Sequence, residues 1–100
     1  MKLNVCAVLM VGAATLGGSV QAADIEAGKV KAATCAGCHG PAGISSNPMW
    51  PNLAGQQPGY LVKQLKAIRD GPRSDPMMAP MASPLTDEAI ANHAAYYTNL

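Results

Sequence analysis

Two thiols three residues apart, with an imidazole directly after the second, stand in "TCAGCHGPAG", the stretch from Thr34 to Gly43. Cys35, Cys38 and His39 are of the types that bind metals, exchange electrons or form covalent links. Three chemistries use such a set. A redox dithiol of the C-x-x-C kind belongs in a βαβ setting, which this chain lacks, and needs a reactive thiolate at an accessible helix start. A zinc ion could draw on Cys35, Cys38, His39 and His93 as four ligands of suitable type. Yet the adjacency of Cys38 and His39 strains any tetrahedron that uses both, and the second half of the chain has no matching ligand pair.

The third chemistry is covalent haem attachment, for which C-x-x-C-H is the signature. Two thiols add across the two vinyl groups of the porphyrin and leave two thioether bonds. One helical turn puts Cys35 and Cys38 on the same side, and His39 follows at once to reach the iron. One covalent haem c is therefore the expected cofactor. An iron held by one imidazole needs a sixth ligand or keeps an open position, and the two alternatives give different functions. Met77, Met78 and Met81 crowd one later stretch, spaced by Pro76 and Pro80. Prolines bias such a segment towards extended backbone. Neighbours on an extended segment point opposite ways, so Met77 and Met78 should not both reach one iron. Residue chemistry alone does not choose between them.

These residues must be positioned by a small domain. The chain has 100 residues, enough for one. Met1 and Lys2, an apolar run from Val5 to Leu16 and the small-residue end Val20-Gln21-Ala22 read as a secretory signal cleaved after Ala22. Residues 1–22 are then signal peptide and 23–100 the folded domain, without a membrane span; Cys6 leaves with the signal and has no role. Six basic and six acidic residues remain, a balance that gives no reason to expect nucleic acid. Lys63, Lys66, Arg69 and Arg73 cluster, which suits either a solvated helix face or a docking patch. The core is poor: no Phe, one Trp and three Tyr. Domains this small usually need a staple or a cofactor, and a large apolar cofactor would mend the deficit.

Three helical segments are expected. The first spans Asp24 to Thr34, with acids in its opening turn. The second, "PGYLVKQLKAIRDGP", repeats Leu61, Leu65 and Ile68 on one face, with Pro58 near its start and Gly71-Pro72 at its end. The third starts at "PLTDEAI" with Thr86 as N-cap and carries Ile90, Ala94 and Tyr97 on one face. The long Pro- and Gly-rich connections do not alternate as strands do. The class is all-α.

With these pieces in place, the chain from Asp24 to Leu100 resembles a class I cytochrome c, most of all the small bacterial periplasmic type that also occurs as halves of diheme members. The resemblance rests on "AGKVKAATCAGCHGPAGIS", "PNLAGQQPGYLVKQLKAIRDGPR" and "MAPMASPLTDEAIANHAAYY". It implies three main helices wrapped around one haem, with His39 and a Met as the axial pair. In this type the ligand Met precedes a second Met or Ile by three residues and the Leu of the last helix start by seven; Met78, Met81 and Leu85 fit. It also implies that the Pro51 carbonyl accepts the hydrogen bond of the other His39 nitrogen, and that Trp50 and Tyr60 line the haem pocket. His93 stands where this type carries Leu or Ile, and is expected as a half-buried packing residue with a satisfied nitrogen.

The function expected from this resemblance is periplasmic electron transfer. A His/Met iron has no vacancy for substrate, so the chain is expected not to be an enzyme. It would be a monomer that meets redox partner proteins by weak, transient docking. The alternatives are a cytochrome subunit of a dehydrogenase complex, or a gas sensor or peroxidase whose sixth site is open.

Overall fold

The structure is a computed structural model and describes Gly12 and residues 22–100. The expected signal segment and Cys6 lie outside the described residues. Among the described residues five helices follow in order: α1 Ile25–Ala32, α2 Ala36–His39, α3 Pro58–Asp70, α4 Ala79–Ala82 and α5 Asp87–Thr98. Among the described residues there is no strand, and no helix is long and apolar enough to cross a membrane.

Each long helix begins where local chemistry dictates. The Asp24 carboxylate accepts the Ala27 N–H at 3.0 Å and so caps α1, while Glu26 and the closing Lys29 and Lys31 complement the helix dipole. Pro58 opens α3, where its missing N–H costs nothing, and Gly71 closes it at φ 109°, the left-handed conformation of a helix C-cap. Thr86 Oγ1 accepts the Ala89 N–H at 3.1 Å and caps α5. The first helix ends two residues before the expected Thr34, because the chain turns over residues 33–35 to start α2.

The methionine stretch departs further from expectation. Its backbone is not extended: residues 76–78 form a turn and Met78, at φ −83° and ψ −24°, is the N-cap of the one-turn helix α4. The reason is that proline is excluded only from helix interiors. In the first turn, where Pro80 sits, its fixed φ already suits the helix.

Packing centres on α5, which lies against both α1 and α3. The α1–α5 crossing is made possible by Gly28. A Cβ there would run into the Asn92 carbonyl oxygen and lie 2.7 Å from the Asn92 carbonyl carbon and 3.0 Å from Tyr96 Cβ. Asn92 Oδ1 also accepts the Asp24 N–H at 2.8 Å, which ties the start of α1 to the same place. Ile90, Ala94 and Tyr97 are buried along one face of α5, as its spacing predicts. On α3, Leu61 and Ile68 are buried but Leu65 is only half-buried.

A cluster of Ala32, Leu61, Ala94 and Tyr97 forms the centre, with Cys35, Leu53, Val62 and Tyr96 packed on it. Ile90 is the largest fully buried side chain among the described residues. That is a thin core for a domain expected to stand alone.

Candidate haem site

The single turn α2 brings Cys35, Cys38 and His39 together. Cys35 is its N-cap, and the Cys35 carbonyl accepts the N–H groups of both Cys38 (3.3 Å) and His39 (2.9 Å). Gly40 then ends the turn at φ 84°, where a Cβ would collide with the Ile44 carbonyl, so only glycine lets the chain leave α2 this way. Both cysteines are free thiols, Cys35 half-buried against the core and Cys38 exposed. Burial pushes the Cys35 thiol up, opposed by the Tyr97 hydroxyl beside it. A thiol raised in this way is the reverse of the activated thiolate that a redox pair requires. Burial likewise raises the Tyr97 hydroxyl, with Cys35 as the next contribution.

His39 is buried, and its orientation is set by a loop. The carbonyl of Gly43 accepts the N–H groups of Leu53 (2.8 Å) and Ala54 (3.0 Å), closing residues 43–54 into a ring. That closure carries Pro51 over α2, where its carbonyl accepts the His39 Nδ1–H at 2.8 Å. A proton held on Nδ1 leaves the lone pair on Nε2, the nitrogen free to bind a metal. Ser45 steadies the ring from within: its N–H donates to Asn52 Oδ1 at 2.7 Å and its hydroxyl accepts the Asn47 N–H at 3.1 Å. The other end is tied to α5, through Gly55 N–H to the Tyr97 carbonyl (2.9 Å) and Thr98 Oγ1–H to the Gln56 carbonyl (2.6 Å).

The remaining predicted residues lie on other elements. Met78 is half-buried at the start of α4, whereas Met77 and Met81 are 60% and 45% exposed. Trp50 is half-buried beside Pro51, and Tyr60 is half exposed in the first turn of α3. His93 is buried more deeply than expected, and its Nδ1–H donates to the Ala89 carbonyl at 2.6 Å. No group of three or more His, Cys, Asp or Glu side chains is placed to hold a metal ion among the described residues, so zinc finds no site here.

The residues present fit a covalent haem. Two free thiols lie one turn apart, and the adjacent imidazole has its second nitrogen already committed. Sequence reasoning did not single out Tyr97 as the neighbour of Cys35, nor Thr98 as a tether of the Pro51 loop. It also passed over Asp75, whose carboxylate accepts the N–H groups of Met77 and Met78. The Asp-Pro pair at residues 75–76 is a turn signal that could have found it.

Comparison with known proteins points to the same cofactor. The family model described as cytochrome c matches residues 25–100. A cytochrome c4 of Thiocapsa roseopersicina is 50% identical over 78 residues, covering 77% of this chain and 40% of that protein. Cytochrome c-554(548) of Halomonas halodenitrificans is 47% identical over 81 residues, covering 78% of this chain and 98% of that protein. Reduced recombinant cytochrome c4 from Pseudomonas stutzeri superposes with a TM-score of 0.73 at 41% identity, over 77% of this chain and 45% of that one. The chain thus spans about half or less of the cytochrome c4 relatives it matches and nearly all of the shorter cytochrome.

Proposed function

Since this chain belongs to the cytochrome c family, whose haem c is attached covalently, we propose that it is a periplasmic carrier of single electrons. It takes them from a quinol-oxidising complex or a dehydrogenase and passes them to a terminal oxidase or reductase. When bound, the haem supplies a one-electron iron couple; the chain holds it and tunes it. Cys35 and Cys38 form the two thioether links. His39 ligates through Nε2, and the Pro51 carbonyl on Nδ1 fixes the ring and raises its basicity. Met78 would give its thioether to the iron, a neutral donor that favours a high potential. Trp50 and Tyr60 shield the haem from water.

The observation that carries this reading is the His39–Pro51 bond, which presets one imidazole nitrogen for iron beside two free thiols. With His39 and Met78 both given to the iron, no position would be left for a substrate, and the chemistry would belong to the partners. Such encounters bury little surface. The basic cluster is largely spoken for within the chain: Arg69 pairs with Asp70 and Asp87 at 2.8 Å each, and Arg73 donates to Gln64 Oε1 at 3.0 Å. Lys66 also lies 3.9 Å from Asp87, which leaves Lys63 as the cation of this helix to steer docking.

Carrier and open-site alternatives separate on Met78→Ala in the mature holoprotein. The oxidised wild type should show the weak far-red band of thioether-ligated ferric haem. Met78→Ala should abolish it, lower the potential and admit carbon monoxide or cyanide. Met77→Ala and Met81→Ala should keep it. A wild type that lacks the band and binds carbon monoxide readily would instead favour the sensor or peroxidase.

A further inference from the structure

Met78 sits at a joint between an exposed connection and a helix of only four residues. One turn of helix has too few internal hydrogen bonds to form by itself. Its order must be imposed from outside, and one residue does most of this. Asp75 Oδ1 accepts the N–H of Met77 at 3.1 Å and the N–H of Met78 at 3.0 Å, and the Asp75 carbonyl accepts the N–H of Ala79 at 2.8 Å. Three successive N–H groups therefore converge on Asp75.

Both sides of Met78 are held. Its N–H is on the Asp75 carboxylate, while its carbonyl accepts the N–H groups of Met81 and Ala82, each at 2.9 Å. Ala82 is fully buried, so this end is packed as well as bonded. Asp75 is in turn tied to α3. Its Oδ2 lies 4.0 Å from the Arg73 guanidinium, whose other nitrogen reaches Gln64, and the Arg73 N–H donates to the Ala67 carbonyl at 3.1 Å. The Asp75 side chain is 29% exposed, sheltered enough for charge-assisted bonds to count.

We propose that Asp75 is the positioning residue for the axial thioether. Its carboxylate presets the backbone of Met78, so that ligation does not have to supply the ordering of a free loop. This deepens the reading of Met78 as sixth ligand and rests on it. The ferric state is where it matters, because there the thioether competes least well with added nitrogen ligands. Loosening the joint leaves the Met sulfur chemically unchanged but makes it easier to displace.

The test compares imidazole binding to the ferric holoproteins of wild type, Asp75→Ala, Asp75→Asn and Met78→Ala, with thermal loss of the far-red band recorded beside far-UV circular dichroism. Asp75→Ala should bind imidazole about tenfold more tightly or better, the loss expected for hydrogen bonds to a charged acceptor. Its band should disappear well below the temperature at which the helices melt. Asp75→Asn keeps an oxygen acceptor at the same place and should stay within about threefold of wild type. Amide hydrogen exchange on the wild type gives a readout independent of any variant: the Met77 and Met78 N–H groups should be protected although the Met77 side chain is exposed.

Free exchange of both amides overturns the proposal. So does an Asp75→Ala protein with wild-type imidazole affinity, or one whose band and helices melt together. If Met78→Ala takes up imidazole strongly while Asp75→Ala does not, the ligand assignment stands and the role of Asp75 falls. If Met78→Ala leaves band and affinity unchanged, the ligand assignment itself has failed and this proposal goes with it.

Discussion

Replacing Gly28 by Ala puts one methyl group into the α1–α5 crossing, and the structure sets its cost. The new Cβ would run into the Asn92 carbonyl oxygen and sit 2.7 Å from its carbon, where ordinary contact begins at 3.4 Å. The obstacle is main chain inside a helix, so it cannot rotate away as a side chain could. The helices must separate by more than about 0.7 Å, since the carbonyl oxygen is nearer than the carbon, and overpacking of this kind costs about 1–3 kcal/mol. Alanine in a helix interior gives back about 1 kcal/mol. With backbone as the obstacle the upper part of the range applies, leaving a net loss of about 2 kcal/mol. For a domain of this size that lowers the melting temperature by roughly 10 °C. Gly59→Ala is the control: it lies in α3 with nothing within 4 Å of the added Cβ, and should melt at or slightly above wild type. Far-UV circular dichroism of the three holoproteins decides. A Gly28→Ala protein that melts with or above wild type would refute the crossing as described.

Two further outcomes follow from the same structure. Arg69 holds the Asp70 carboxyl below its usual range, chiefly through their hydrogen bond, so this pair adds stability above the unfolded carboxylate pKa and loses it as pH falls. Urea unfolding should show Arg69→Gln less stable than wild type at neutral pH, with the gap narrowing below about pH 4; a gap independent of pH would contradict this. Cys35→Ala/Cys38→Ala should lose its haem to acid-organic solvent and show no cooperative thermal transition, since the core built by the chain alone is thin. Native-like helicity with sharp melting would refute that.

The attachment turn was legible because its chemistry is local: the spacing of Cys35, Cys38 and His39 matches one turn of helix. The caps at Thr86 and Gly71 and the buried faces of α3 and α5 were legible for the same reason, being set by residues within a turn or two. The Met stretch was misread as extended because Pro80 was weighed as a breaker, when its place in the first turn of a helix was what counted. Asp75 went unread beside it, since a carboxylate that caps the backbone leaves only the faint mark of an Asp before a Pro.

By itself the sequence determined the class and the cofactor, and singled out the methionine segment proposed to supply a sixth ligand, because each depends on residues close together in the chain. The tertiary structure alone decided that Gly28 meets Asn92 and Tyr96, that the Asp24 N–H finds Asn92 Oδ1 across 68 residues, and that Arg69 bonds to Asp87 rather than facing solvent. It also decided that the Pro51 carbonyl reaches His39 through a loop closed on Gly43 and moored to α5 by Thr98. Spacing along the chain specifies which side of a helix a residue faces. What it meets there depends on how the helices cross, and that is set by the whole chain packing at once.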